Sequence, residues 1–441
     1  MEKEEKKAKE QKVKEQKISH RPLRWEKLDN TALIFPVIAG EGMTNVYRLS
    51  VELNEQIQPE LLQEAVAIVL PQIPGFNVRM RMGVFWYYFE ENNKPAPPVT
   101  EEELFPCRYI RPNKNNSYLF QVSYYQNRIN LEVFHVLADG MGGFNFLREV
   151  TYQYLRLAHP ELKNQVEDKL SDGTSLNTED SFEKNFKKSQ KKGFEKEKAY
   201  LIKLEKLTPG ELGLMHGMIN LPELKAVTKS LGVSINEYLV AVFVWSTYVQ
   251  CLHKTPSKRP IRVAVPVNLR SYFPSNTIRN FFVMVSAEFH PTKEEYTFEE
   301  ILEIIKESLR KQIQKDHLEE LFSYSVGNQK HKLLRMVPLG MKSLFMRLVY
   351  NQSALAHTTT ITNVGFVKPD PAYEPYIKMF RAFIPMSKGQ NIKGTVCSYK
   401  DTLVFTFTSV FSDTSIQREF FRKIASDGVT VGIETNGVYY E

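Results

Sequence analysis

Ile129-Asn-Leu-Glu-Val-Phe-His135-Val-Leu-Ala-Asp139-Gly140-Met-Gly-Gly143 opens on an alternation, with Ile129, Leu131 and Val133 set against Asn130 and Glu132. That period of two predicts a strand with one apolar and one wetter face. His135 has the parity of the apolar set, so its ring is expected to point inward at the strand's end. Gly140, Gly142 and Gly143 suit a tight turn and close backbone approach. Beyond them Phe144, Leu147, Val150, Thr151 and Tyr154 share one face of a helix. A histidine held there, beside a cavity, suits a general base. Its ordinary pKa of ~6.5 lets it accept a proton at neutral pH and return it later. Asp139, four residues on, suits holding the loop through charge-assisted hydrogen bonds.

Working outward, residues 118–125 and 129–135 read as a hairpin across Gln126-Asn127-Arg128. Asn45–Leu53 alternates as a strand, and Gln58–Leu70 is a helix with Pro59 in its first turn. From Lys163 to Glu197 the chain turns to Asp, Glu, Lys, Ser, Thr and Asn, the composition of a linker. After it, Leu221–Leu231 reads as a helix ended by Gly232, and Ser234 as the cap of Ile235–Gln250. Ile261–Val265, Phe282–Phe289 and Leu403–Phe411 read as strands. Tyr296–His317 reads as one long helix, and Ser415–Ala425 as a closing one. Helix Gly340–Tyr350 sets Met341, Leu344, Phe345 and Leu348 on one face with Lys342 and Arg347 beside them; covering a sheet and lying on a lipid surface both fit that pattern. Strands and helices mixed through both halves predict an α/β fold in layers. The expected organisation is a charged, disordered tail over 1–20, an N-terminal domain over 21–162, a linker over 163–197 and a C-terminal domain over 198–441.

The bulk numbers narrow the function. The chain has 441 residues, 42% hydrophobic and 25% charged, which is ample for two cores. The net charge of +7 comes without the interleaved basic and aromatic residues of a nucleic-acid surface. Cys107, Cys251 and Cys397 make neither a metal spacing nor a disulfide framework. The other eight histidines lack metal-ligand spacing, so no metal is expected. There is no GxSxG elbow, P-loop or GxGxxG. No stretch approaches the ~20 apolar residues of a membrane span, and the N-terminus lacks an apolar leader, so a cytoplasmic protein is expected.

His135-x-x-x-Asp139, in this setting, resembles the motif of the chloramphenicol-acetyltransferase-like superfamily, which includes condensation domains of peptide synthetases, plant BAHD enzymes and polyketide-associated acyltransferases. The resemblance covers roughly residues 21–435. WEKLDNTALIFP at 25–36 and GMTNVYRLSVEL at 42–53 place it nearest the bacterial alcohol-acetyltransferase-like proteins. Val265-Pro-Val-Asn-Leu-Arg270 resembles the family's P-x-N-x-R segment, and Thr362-Asn363-Val364-Gly365 its S/T-N-x-G segment. Phe134 stands where condensation domains carry a second histidine, and the BAHD DFGWG string is absent. The resemblance implies two α/β sandwich domains with mixed sheets and a tunnel between them. It implies His135 as catalytic base, with Asp139, Gly140 and Arg270 as structural support. Arg270 would pair with Asp139 across the domain junction. Thr362 and Asn363 would approach the channel, either as oxyanion donors or as a strand's end. The implied reaction moves an acyl group, acetyl above all, from acyl-CoA as co-substrate to an alcohol or amine acceptor, with no permanently bound cofactor. Two other readings stay open: an enzyme taking its acyl group from an acyl-carrier protein, and a non-catalytic binding relative.

Overall fold

The computed structural model describes residues 24–102, 105–188, 197–331 and 336–439. The charged tail expected over 1–20 lies outside them, as does the lysine-rich stretch 189–196 of the linker.

Two mixed sheets carry the molecule. The first, in spatial order, is β12 (Ile377–Phe383), β2 (Val46–Leu53), β7 (Arg128–Phe134), β6 (Phe120–Tyr125) and β5 (Thr100–Glu101). The second runs β10 (Phe282–Phe289), β9 (Ile261–Asn268), β11 (Thr359–Phe366), β13 (Ile392–Tyr399), β14 (Thr402–Ser409), β8 (Gly213–Asn220) and β15 (Val431–Thr435). A small antiparallel sheet of β1 (Trp25–Lys27), β4 (Tyr87–Glu91) and β3 (Val78–Met82) flanks the first. Strand β11 pairs parallel to both β9 and β13, and β5 parallel to β6; the other pairings are antiparallel. The fold is therefore α/β with mixed sheets, as the resemblance implied. Strand β12 lies late in the chain yet forms an edge of the first half's sheet, with Ala382 opposite Leu49.

Helices follow the apolar stripes. Short α1 (Phe35–Ile38) precedes β2, and α2 (Pro59–Val69) packs with α3 (Gly140–Ala158) over the first sheet. In the second half α4 (Ser181–Lys184) and α5 (Leu221–Ser230) precede α6 (Ile235–Leu252), whose Ser234 and Glu237 form a reciprocal capping box. Gly232 takes a left-handed φ of 65°, ending the turn before it. Helices α7 (Phe298–Gln312) and α10 (Ser415–Ser426) lie against α6, with α8 (Lys315–Lys330) and α9 (Leu339–Ser353) between them in the chain.

Three expectations change. Helix 296–317 is two helices, because Ile313 and Gln314 leave helical ψ at 53° and 138° while Gln314 Nε2 caps the Arg310 carbonyl. The wetter face of β7 is buried as deeply as the apolar one, with Asn130 and Glu132 at 0% and 1% exposure. Arg48 supplies the counter-charge to Glu132 at 2.8 Å, and Ser50 donates to Asn130 Oδ1 at 2.7 Å. The linker is pinned where it is described. Asn177 O accepts from Ile278 N–H at 2.8 Å, and Phe182 is buried in the second core.

Candidate active site

His135 sits one residue beyond β7, where its N–H donates to Asn45 O at 2.9 Å. Its ring stacks on Phe35 of α1 at 4.6 Å and meets the edge of Tyr47 at 5.1 Å. Phe282 of β10 closes on it from the second half at 5.5 Å. Nδ1 lies 3.0 Å from Asn280 Oδ1. The orientation of that amide follows from its other contacts. Asn280 Nδ2 donates to Asp29 Oδ2 at 2.9 Å and to His135 O at 3.1 Å, leaving only its oxygen to face the ring. Nδ1 therefore carries the proton in neutral His135, and Nε2 is the basic nitrogen. Among the described residues Nε2 has no hydrogen-bond partner.

Burial holds the His135 pKa below the ordinary imidazole value. Its own backbone, the Asp139 carboxylate and the Asn280 bond pull it up, and the Lys393 ammonium pushes it down. Behind Asn280, Asp29 accepts from Ala32 N–H at 2.8 Å, and burial brings its carboxyl up to about 7 against the hydrogen bond from Asn280. His216 makes a useful contrast. It too is buried, with Nδ1 on Thr406 Oγ1 at 2.8 Å, but it does not line the cavity that His135 lines.

Asp139 caps α3, its Oδ1 accepting from Gly142 N–H at 3.1 Å. The same carboxylate takes Arg270 Nη1 at 2.7 Å and Phe281 N–H at 3.0 Å. Arg270 Nη2 reaches on to the carbonyls of Thr277 and Arg279. The carboxylate is thus fully used in tying the start of α3 to residues 270–281 of the second half. The glycines divide the work unevenly. A Cβ on Gly142 would stand 2.1 Å from Ile278 O, and one on Gly143 2.7 Å from Tyr47 Oη. At Gly140 the nearest atom would be Val364 Cγ1 at 3.4 Å, an ordinary contact. Close approach rather than a special φ is what this run needs.

Thr362 and Asn363 lie on β11 at a bulge rather than at the strand's end. Asn363 Oδ1 accepts from Gly365 N–H at 2.8 Å, and Gly365 takes a φ of 97° that only glycine adopts at no cost. His135, Asp139, Gly140, Arg270, Thr362 and Asn363 all line one cavity of about 2480 Å³ between the two halves. Sequence reasoning missed Asn280, Asp29 and the buried Lys393, which lines the same cavity and donates to Ser387 Oγ. Burial lowers the Lys393 pKa to about 7. Among the described residues no group of three or more His, Cys, Asp or Glu side chains is placed to hold a metal.

No protein-family model and no curated protein sequence matches the chain. Solved structures do. TRI101 of F. sporotrichioides, complexed with coenzyme A and T-2, matches with a TM-score of 0.64 at 10% identity, over 92% of this chain and 99% of that one. TRI3 trichothecene 15-O-acetyltransferase from Fusarium sporotrichioides gives 0.59 at 9% identity, over 91% and 94%. The first condensation domain of the calcium-dependent antibiotic synthetase, with a substrate analogue, gives 0.60 at 11% identity, over 92% and 96%. At such identities the likeness establishes the fold alone: the chain shares the mixed-sheet α/β architecture of these acetyltransferases and this condensation domain.

Proposed function

We propose that this protein is an acyltransferase that moves an acyl group from a coenzyme A thioester to an alcohol or amine, with His135 as general base. One observation carries the reading: His135 has its Nδ1 proton fixed by Asn280 and its other nitrogen without a partner among the described residues, on a cavity wall that both halves build. Nε2 removes the proton from the acceptor's hydroxyl as its oxygen attacks the thioester carbonyl. The tetrahedral oxyanion collapses, the carbon–sulfur bond breaks, and the proton on Nε2 passes to the departing thiolate. Neither a metal nor an acyl-enzyme is needed. A lowered His135 pKa suits the first half of this cycle, since the ring is neutral at pH 7. Thr362 and Asn363 are the donors offered to the oxyanion, Asn363 through its amide nitrogen because Gly365 occupies its oxygen. Asp139 and Arg270 hold the loop and touch no substrate in this scheme.

Coenzyme A in the TRI101 complex and the acetyltransferase activity in the name of TRI3 support a CoA donor and an O-linked product. The condensation-domain likeness supports a second reading, in which the thioester arrives on an acyl-carrier protein. Thiol release separates the readings. The wild-type chain and His135→Ala are given a panel of acyl-CoAs, acetyl-CoA first, with a mixed alcohol and amine pool. Acceptor-dependent release that falls at least ~100-fold in the variant is the expected result. A folded wild type that releases thiol only from carrier-protein thioesters moves the donor assignment. Equal activity in the variant removes His135 from the mechanism.

A further inference from the structure

Among the described residues, none covers the outer face of α9. Leu339 at its start is buried, and its N–H donates to Val84 O at 2.8 Å, joining the helix to the turn between β3 and β4. Arg347 anchors one side, with Nη2 on the Val37 carbonyl of α1 at 2.8 Å. Tyr350 meets Met43 on the same inner side. The opposite side presents Met341, Leu344, Phe345 and Leu348, between 56% and 66% exposed. These positions follow a helical spacing and form one stripe. The neighbouring turn adds Met82, Val84 and Trp86, at 74%, 71% and 48%. A continuous apolar surface of this kind marks an interaction site on a globular protein.

The charge around it is one-sided. Between Glu64 and Glu90, and again between Glu320 and Asp370, the sequence has no Asp or Glu, against eight Lys or Arg. Those two stretches contain the turn and α9, in a protein that elsewhere carries 51 acidic residues. Among the described residues Arg347 meets only a backbone carbonyl, so no carboxylate neutralises it. Arg79 and Arg81 of β3 pair with Glu90 at 2.6 and 2.9 Å, but α9 itself carries Lys342 and Arg347 and no acid. Large apolar side chains beside such cations fit an interface of negative head groups over hydrocarbon.

We infer that α9 and the β3–β4 turn form a docking face for an anionic phospholipid surface, against which the helix lies in plane. Met341, Phe345, Phe85 and Trp86 line the cavity that holds His135, so the docking face runs into the cavity's mouth. An amphipathic acceptor or a long acyl chain would reach His135 without crossing water. That last consequence rests on the acyl-transfer reading; the docking does not.

Co-sedimentation of the full chain with phospholipid vesicles tests it. The probes are vesicles of phosphatidylcholine alone and of equal parts phosphatidylcholine and phosphatidylglycerol. Leu344 and Leu348 lie outside the cavity lining, so Leu344→Glu/Leu348→Glu leaves the chemistry in place. The wild type pellets with the phosphatidylglycerol vesicles and less with phosphatidylcholine alone. The double variant binds at least roughly ten-fold less tightly, with unchanged melting and unchanged turnover of a water-soluble acyl-CoA. His135→Ala pellets like wild type, which keeps this result separate from the catalytic one. Wild type remaining in the supernatant with both vesicles overturns the inference, as does a double variant that pellets equally. A wild type that ignores vesicles but forms a dimer the double variant abolishes, or is held by an acidic carrier protein, also overturns it.

Discussion

For His135 to act as the proposed base its proton must sit on the far nitrogen, and that depends on one amide. Asn280 accepts from Nδ1 only because its nitrogen is committed to Asp29 and to the His135 carbonyl. Asn280→Ala removes the tautomer lock while leaving the cavity wall intact. A fall in kcat of at least ~10-fold with the KM for acyl-CoA nearly unchanged is the expected signature. A KM effect with kcat preserved would assign Asn280 to substrate binding instead. Lys393 gives a pH test of the same ring. With a pKa of about 7, its ammonium is charged over the range below 6.5 in which His135 titrates, and it pushes that titration lower still. In the proposed mechanism the base is lost as pH falls through the His135 pKa, so the acid limb of kcat/KM is expected below the ordinary imidazole value of ~6.5. Lys393→Met removes the repulsion, and the acid limb moves to higher pH. A limb that stays put or moves down would show that the two groups are not coupled. His135, Asp139 and Arg270 were legible because each sits in a short string whose local pattern carries meaning. Asn280 and Asp29 were not. Asn280 meets Asp29 across 251 positions and His135 across 145, and neither residue type in its own segment signals a contact of that kind.

The first turn of α3 is where the element's geometry is decided. Its start lies so close to residues 278–281 that Ile278 O occupies the space a Gly142 side chain would need. Gly142→Ala must push two backbones apart and is expected to cost at least ~3 kcal/mol or prevent folding, whereas Gly140→Ala stays within about 1 kcal/mol. Chemical denaturation of the two variants checks this, and comparable losses would contradict the close-approach argument. The Asp139–Arg270 pair tightens the same junction. Arg270→Ala leaves a mostly buried carboxylate without its counter-charge and should destabilise by about 3–5 kcal/mol. Removing both partners should cost less than the sum of the single changes, as a double-mutant cycle in denaturant would read out. At this scale the helices with capped or proline-marked ends were legible, such as α2 and α6, because the signal is local. The break between α7 and α8 was not, since Ile313 and Gln314 are neither glycine nor proline and the helix is ended there by ψ angles the residue types do not dictate. The buried polar face of β7 escaped for a related reason: Asn130 and Glu132 are covered through Arg48, Ser50 and Glu102, which lie on other elements.

On the scale of the whole molecule, two halves divided by a polar linker suggest two units that fold apart and then meet. The contacts argue otherwise. Strand β12 pairs with β2 along its length, Phe383 standing opposite Arg48 and Ile377 opposite Leu53, so a late segment completes the early sheet. Arg279 pushes a fully buried guanidinium into the first half, bonding Gly75 O at 2.9 Å, Leu137 O at 3.1 Å and Glu26 at 3.0 Å, and lying 4.4 Å over the Phe89 ring. Ile278 beside it belongs to the first half's core. This is a core shared between halves, unlike the smaller and more polar interfaces that usually separate domains. A fragment ending at residue 197 would leave β2 with a bare edge and the space around Gly75 and Leu137 unfilled. It should aggregate or show no cooperative thermal transition by circular dichroism, while the intact chain melts in a single step. A soluble fragment with its own sharp transition would mean that β12 and Arg279 are late additions to an already stable unit. The shared core also bears on the site, because the ring of His135 is held by Phe35 and Tyr47 from one half and by Phe282 and Asn280 from the other. Any variant that loosens the junction should therefore lose kcat before it loses secondary structure, and following activity and ellipticity together through a denaturant series would reveal that order.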